Sequence, residues 1–302
     1  MDYRLTDEQK MMGEAARKVG TAYGPDYWRD LDARKAFPKE IWQAICDAGL
    51  CGVALPEEHG GSGLGMLEMA LVIEALSESG GGSTLGQLYM VNPIFGGVSV
   101  SRFGTDEQKR TLLPGLVSGK INFCMALTEP DAGSNTLEMR SFASEEGDGW
   151  RLNGRKIWIT AVPEYAGGPG SPKTWASARP PNPEEAPRRI DGITMFLVDT
   201  NRPGISYTPI EKLGTNTLTS SSVFFDNVRL ERSDLIGTLH KGWTELLDVL
   251  NTERIVTTAG LIGAGRMAIR IAVDYSKDRK VFGGKPIGSY QGVQFPLAQA
   301  HA

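Results

Sequence analysis

The run Trp150-Arg151-Leu152-Asn153-Gly154-Arg155-Lys156-Ile157-Trp158 decides the fold, because the period of the chain changes around it. Trp150 and Leu152 alternate with Arg151 and Asn153, the two-residue rhythm of a half-buried strand. Asn153-Gly154 separates this run from a second strand-like run, and that dipeptide is the strongest short hairpin signal, so two strands joined by a tight turn are expected. Further strands are expected at 193–198 and 222–230, where β-branched and aromatic residues concentrate.

On the N-terminal side of this region the rhythm is helical. Thr6-Asp7-Glu8-Gln9 and Thr105-Asp106-Glu107-Gln108 each place a hydroxyl at a helix start and a glutamine three residues later, the capping-box arrangement. Pro38 opens a helix that Gly49 closes, and Met66, Met69, Ala70, Ile73 and Leu76 recur at steps of three and four. On the C-terminal side the helical pattern returns after Gly242 and runs through Leu246, Leu247 and Leu250 toward Tyr275. The class is therefore α+β: an N-terminal α-helical domain over 1–120, a β domain over 121–232, and helices from 233 to 302. One stretch fits poorly. Residues 162–191 hold Gly167-Gly168-Pro169-Gly170 and Pro180-Pro181, a density that reads as a loop rather than a central strand.

Length and charge narrow the function. A chain of 302 residues with 40% hydrophobic and 23% charged residues has the balance of a soluble globular protein of about two domains. A formal charge of −4 argues against nucleic acid as the main partner, since phosphate binding needs a basic face. No uninterrupted apolar run approaches the ~20 residues of a membrane span, so none is expected. The first residues lack the basic start and apolar core of a signal peptide, and Cys46, Cys51 and Cys124 lack His partners, so buried reduced thiols and a cytoplasmic setting are expected. His59, His240 and His301 are scattered without metal-ligand spacing, and no metal is expected. Gly260-Leu261-Ile262-Gly263-Ala264-Gly265 sits in a helical run, so it is read as a close-packing face, not as a dinucleotide fingerprint.

Two constellations carry chemistry. Ala126-Leu127-Thr128-Glu129-Pro130-Asp131-Ala132-Gly133-Ser134-Asn135 is a strand end turning into a loop of small and hydroxyl residues. Such a loop offers backbone N–H groups and the Thr128 and Ser134 hydroxyls to a polar ligand, although the same residues also suit a self-capping surface turn. Within the long C-terminal helix, Asn251 and Arg254 are three apart and share a face, so both reach one ligand. Glu253 projects beside them; on residue types alone it reads as an exposed acid next to an arginine, as most such pairs are. Trp158 by itself reads as a core aromatic, and Arg279 as a solvated charge near a helix end.

In order along the chain, these segments resemble the acyl-CoA dehydrogenase family. The Thr128–Ser134 run and Lys156-Ile157-Trp158-Ile159-Thr160 look like that family's two flavin-contacting segments. Val53-Ala54-Leu55-Pro56-Glu57-Glu58-His59-Gly60-Gly61, Glu211-Lys212-Leu213-Gly214 with Val223 to Val228, and Tyr275-Ser276-Lys277-Asp278-Arg279-Lys280-Val281-Phe282-Gly283 followed by Gln291 match as well. The resemblance implies a central domain that is β-barrel-like, a C-terminal helical bundle, and FAD as cofactor. Met125, Leu127, Thr128, Gly133 and Ser134 would line the flavin, with Trp158, Ile159 and Thr160 on its other side. Phe282 and Gln291 would belong to the segment that reaches the adenine half across a dimer, and Arg279 would pair with the FAD pyrophosphate. Asn251 and Arg254, with Ser134, would hold the CoA thioester, and Glu253 would be the catalytic base, the position used by isovaleryl- and long-chain-type members. An electron-transferring flavoprotein would take the electrons, and a homodimer or homotetramer is implied.

Relatives usually run some 80 residues further, so the resemblance also implies an incomplete C-terminal bundle and an uncovered apolar face on the helix around 244–275. Two other readings remain at this stage. One is a non-catalytic or partner-dependent subunit of the same fold; the other is a flavin oxidase relative acting on a substrate without CoA.

Overall fold

The computed structural model describes residues 4–165, 173–180 and 190–302. Seven helices come first: α1 (Asp7–Thr21), α2 (Pro25–Arg34), α3 (Lys39–Asp47), α4 (Met66–Leu76), α5 (Gly82–Tyr89), α6 (Ser99–Phe103) and α7 (Asp106–Val117). Both expected capping boxes are formed. The Thr6 hydroxyl accepts from the Gln9 amide at 3.2 Å while Thr6 N–H donates to the Gln9 side chain at 3.0 Å, and Thr105 with Gln108 repeats the pair at 3.2 and 2.9 Å. Gly49 closes the α3 turn with φ of 72°, a conformation glycine adopts freely. Between α5 and α6 the backbone widens into a π-type stretch, Met90–Val98, around Pro93, whose ring removes a donor from the helical ladder.

The central domain holds β1 (Phe123–Ala126), β2 (Phe142–Glu146), β3 (Gly149–Thr160), the one-turn helix α8 (Val162–Tyr165), β4 (Lys173–Ala178), β5 (Thr194–Asp199), β6 (Ile205–Ile210), β7 (Ser220–Leu230) and the short β8 (Leu235–Ile236). They form two open four-stranded sheets, ordered β1-β4-β5-β8 and β2-β3-β7-β6. The sheets face one another without closing into one cylinder. Trp150 of β3 and Phe196 of β5 meet between them, ring centroids 5.3 Å apart, both buried.

Two expectations are overturned here. Asn153-Gly154 is not a hairpin turn: β3 runs unbroken over 12 residues, and the dipeptide forms a bulge where its pairing with β7 slips between Leu152 and Gly154. Gly154 is required there. Its φ is 154°, and a Cβ would lie 2.1 Å from the Ser141 hydroxyl, while the Asn153 side chain accepts a bond from Asn227 N–H at 2.8 Å. The residues thus serve a close approach of neighbouring chain instead of a reversal. The second concerns 162–191. Most of its Gly/Pro residues lie outside the described residues, but within it β4 is a true strand, paired parallel to β1 and antiparallel to β5. Thr174, Ala176, Ser177 and Ala178 are all buried, so this strand fills a crowded central position with small side chains rather than large aliphatic ones.

The C-terminal region is α9 (Gly242–Asp278), a hairpin of β9 (Lys280–Val281) and β10 (Lys285–Pro286), and α10 (Gln291–His301). α9 buries a stripe of Leu246, Val249, Thr252, Val256, Ala259, Gly260 and Gly263, largely against α4, α5 and the turn between them. Gly263 permits the closest approach: a Cβ there would lie 2.2 Å from the Glu74 carbonyl. The opposite face leaves Ile255, Leu261, Ile262, Ile271 and Tyr275 exposed, as expected for the region around 244–275. By length and composition alone this 37-residue helix is apolar enough to cross a membrane, although Glu253, Arg254, Arg266 and Arg270 interrupt its apolar runs. A core helix of a soluble protein passes the same test. The three cysteines are free and buried, with the Cys46 and Cys51 sulfurs 3.0 Å apart at the end of α3.

Candidate active site

β1 delivers Met125 half-buried against the core and passes directly into Leu127 and Thr128. The chain then folds tightly on itself. Glu129 and Ala132 exchange backbone hydrogen bonds at 3.1 and 3.2 Å, which throws Gly133 and Ser134 out to solvent. The N–H groups of Gly133, Ser134 and Asn135 find no backbone acceptor among the described residues, and the space beyond the Gly133 α-carbon is open. These are three successive exposed donors, suited to an anionic or polar ligand.

The Trp158 segment is tied to that loop. Ile157 N–H donates to the Thr128 carbonyl at 2.9 Å. Beneath the bond lies an ion pair that sequence reading did not single out: Lys156 and Glu129, 2.8 Å apart, with side chains 0% and 5% exposed. Lys156 Nζ also donates to the Leu127 carbonyl at 3.1 Å and the Ser177 hydroxyl at 3.2 Å. Glu129 accepts from the Arg140 and Ser141 amides at 2.6 and 3.0 Å. Burial works to raise the Glu129 pKa, but the Lys156 charge and the two amides hold the carboxyl below its ordinary range. A charged residue within an otherwise alternating strand was the only signal for this pair.

Just beyond Lys156 the β3–β7 pairing slips again, so that Ile157 and Trp158 stand opposite Ser222 alone. Trp158 has φ of 63°, a strained left-handed conformation for a bulky residue, and its indole is 53% exposed. The core-aromatic reading is therefore overturned: the bulge turns the ring outward. Its neighbour Ile159 is buried in the core, and Thr160 is half-buried.

Thr160 opens onto a cavity of about 370 Å³ shared with Glu253. Its walls come from Ser83, Gly86, Gln87 and Met90 on one side and Thr257, Gly260 and Leu261 of α9 on the other. None of these seven was singled out as a site residue, although Ser83, Gln87 and Met90 are spaced four and three apart, one face of a helical turn. The Glu253 carboxyl is half-buried, and burial raises its pKa above the ordinary carboxylate value. The Thr257 hydroxyl, donating at 3.3 Å, and the nearby Arg254 charge pull it back only partly. Arg254 and Asn251 lie on the exposed side of α9, joined by a 2.9 Å hydrogen bond, as their spacing predicts.

The remaining candidates lie elsewhere. Arg279 ends α9, 26 residues past Glu253, about 39 Å away at ~1.5 Å per residue. It is exposed, as are Gln291 and Phe282, whose ring is 86% exposed and lies 6.4 Å from that of Tyr290. None of the three lines the cavity at Thr160 and Glu253.

Comparison with known proteins places this architecture. The family models for the acyl-CoA dehydrogenase N-terminal, middle and C-terminal domains match residues 6–120, 124–228 and 240–302. Acyl-CoA dehydrogenase FadE12 of Mycobacterium tuberculosis is 36% identical over 296 residues, covering 98% of this chain and 73% of that protein. The glutaryl-coenzyme A dehydrogenase glutaryl-CoA complex superposes with a TM-score of 0.90 at 28% identity, over 99% of this chain and 73% of that one. A glutaryl-CoA dehydrogenase from Mycobacterium smegmatis in complex with FADH2 superposes with a TM-score of 0.85 at 29% identity, over 98% and 72%. The chain belongs to the acyl-CoA dehydrogenase family.

Proposed function

We propose that this chain is an FAD-dependent oxidoreductase that desaturates the α,β-bond of an acyl-CoA thioester, with Glu253 as the base. The observation that carries the reading is the single cavity joining Thr160, from the flavin-type segment, to the Glu253 carboxylate. The donor set fits the cofactor: exposed amides at Gly133 to Asn135, hydroxyls at Thr128, Ser134 and Thr160, and an exposed indole held outward by a strained bulge. Bound FAD supplies the two-electron acceptor for the hydride leaving the β-carbon.

The chain's own residues do the rest. Met125, Leu127, Thr128, Gly133 and Ser134 form one side of the flavin site, and Trp158, Ile159 and Thr160 the other, with Ile159 acting from within the core. Asn251 and Arg254, on the exposed side of α9, hold the CoA arm at the mouth of the cavity, with Ser134 beside it. Glu253 takes the α-proton onto a carboxylate oxygen. Partial desolvation makes that carboxylate a stronger base than a free glutamate, and the Thr257 hydroxyl orients it. Arg279, Phe282 and Gln291 serve the adenine half of the cofactor in a neighbouring subunit of a homodimer or homotetramer. Electrons pass on to an electron-transferring flavoprotein, and the setting is cytoplasmic.

The test is direct. The purified chain loaded with FAD is mixed with acyl-CoA thioesters, and the flavin absorbance is followed. Bleaching that disappears in Glu253→Gln, with FAD still bound, is expected. A chain that takes up no FAD, or a Glu253→Gln variant that bleaches at the normal rate, defeats the reading.

A further inference from the structure

The cavity wall opposite Glu253 contains a side chain that the desaturation itself does not use. Gln87 is half-buried on α5 and lines the cavity, and its carboxamide has no hydrogen-bond partner among the described residues. An amide offers two donors and an acceptor, and leaving these unpaired beside an apolar ligand is costly. Ser83, one turn earlier on the same face, adds a hydroxyl to the same wall.

The level of this wall can be read from contacts across the two helices. Met90 stands at Thr257, its sulfur 3.5 Å from the hydroxyl. Gly86 stands at Gly260, where a Cβ would be 3.6 Å from the Gly86 α-carbon. Gln87 thus lies between those levels, about 5–10 Å along α9 from Glu253. That is farther along α9 than Asn251 and Arg254, on the side of Glu253 away from the CoA arm in the function proposed above, so the acyl chain extends toward it. The lining contains no lysine or arginine, and its one ionisable group is Glu253. A second carboxylate entering this space would meet a like charge and no cation to offset it. A neutral oxygen suffers no such repulsion.

We infer that Gln87 is a specificity-determining residue, and that the preferred acyl group carries a neutral hydrogen-bonding oxygen, a hydroxyl or oxo group, toward its far end. This rests on the function proposed above and goes further, from a thioester in general to a class of acyl chain.

The experiment compares three CoA thioesters of equal chain length: unsubstituted, terminally hydroxylated, and terminally carboxylated. Each is measured with the FAD-loaded wild type and Gln87→Leu, as kcat/KM from flavin bleaching and as Kd from calorimetry. In the wild type the hydroxylated chain is expected to lead the unsubstituted one by about tenfold in both quantities, with the carboxylated chain last. In Gln87→Leu that lead should vanish or reverse while the thermal midpoint holds. A preference for the unsubstituted or carboxylated chain, or a hydroxyl preference that survives Gln87→Leu, overturns the inference but leaves the dehydrogenase reading standing. If no thioester bleaches the flavin, that reading falls; the Kd ratio still decides the role of Gln87, and failure of every thioester to bind overturns both.

Discussion

To act as the proposed base, Glu253 has to ionise in a place that resists charge. Its pKa in the fold is raised by burial, so the folded state holds the proton more tightly than the unfolded chain. The sign follows: ionisation costs stability progressively as pH rises from the ordinary carboxylate range through the raised value, and below that range there is no cost. Glu253→Gln should therefore melt about one to two degrees higher than wild type near pH 7, a difference that vanishes in acid; calorimetry against pH checks it. The acid limb of the flavin-reduction rate should lie above the pH at which a free glutamate titrates, and should be missing from the variant. Lys156 tests the neighbouring link. Lys156→Met leaves the Glu129 carboxylate buried and unpaired, so a loss of about 3–5 kcal/mol is expected in urea unfolding, together with weaker FAD retention. At this scale the sequence was partly legible. Thr128, Trp158, Thr160 and Glu253 could be proposed as site residues because they sit in ordered motifs. Gln87 and the Lys156–Glu129 pair could not, since their roles come from elements that meet only in three dimensions.

Helix crossings set the position of Glu253. At Gly263 the α4 and α9 backbones approach so closely that a methyl group would strike the Glu74 carbonyl, a neighbour that cannot move aside as a side chain can. Gly263→Ala should cost at least about 2–3 kcal/mol by urea unfolding, whereas Gly260→Ala, whose nearest new contact is 3.3 Å from the Ile73 side chain, should cost less. Helices with caps were easy to recognise from the chain, because capping and apolar spacing are local. Strands were harder. Asn153-Gly154 carries the local signature of a turn, and only the approach of Ser141 and Asn227 makes it a bulge. β4 was hidden for the opposite reason: Ala176 and Ala178 have little strand preference and the flanking Gly/Pro residues argue for a loop, and pairing with β1 and β5 supplies what propensity does not.

For the molecule as a whole, α9 separates two sets of candidate residues, since none of Arg279, Phe282 and Gln291 lines the cavity. If Arg279 serves a neighbour's cofactor, a subunit carrying Glu253→Gln and one carrying Arg279→Ala have complementary defects. Co-expressed in equal amounts, they should recover activity in about one site in four, since only a mixed pair combines an intact base with an intact arginine. Each variant alone should remain impaired, and turnover per bound flavin measures the recovery. The three-part order of helices, sheets and helices was readable from periodicity alone. The separation of Arg279, Phe282 and Gln291 from the cavity was not, because it depends on α9 staying straight over its whole length.

The crossing of Gly86 and Gly260 carries one further consequence. Both positions already hold the smallest residue there is, and their backbones meet in the wall of the cavity. A Cβ at Gly260 would sit 3.3 Å from the Ile73 side chain and 3.5 Å from the Ser77 hydroxyl, and one at Gly86 4.0 Å from that same hydroxyl, so added bulk presses toward α4 and the turn after it. With no side chain left to shorten at either position, a deeper cavity at this crossing requires the two helices to move apart.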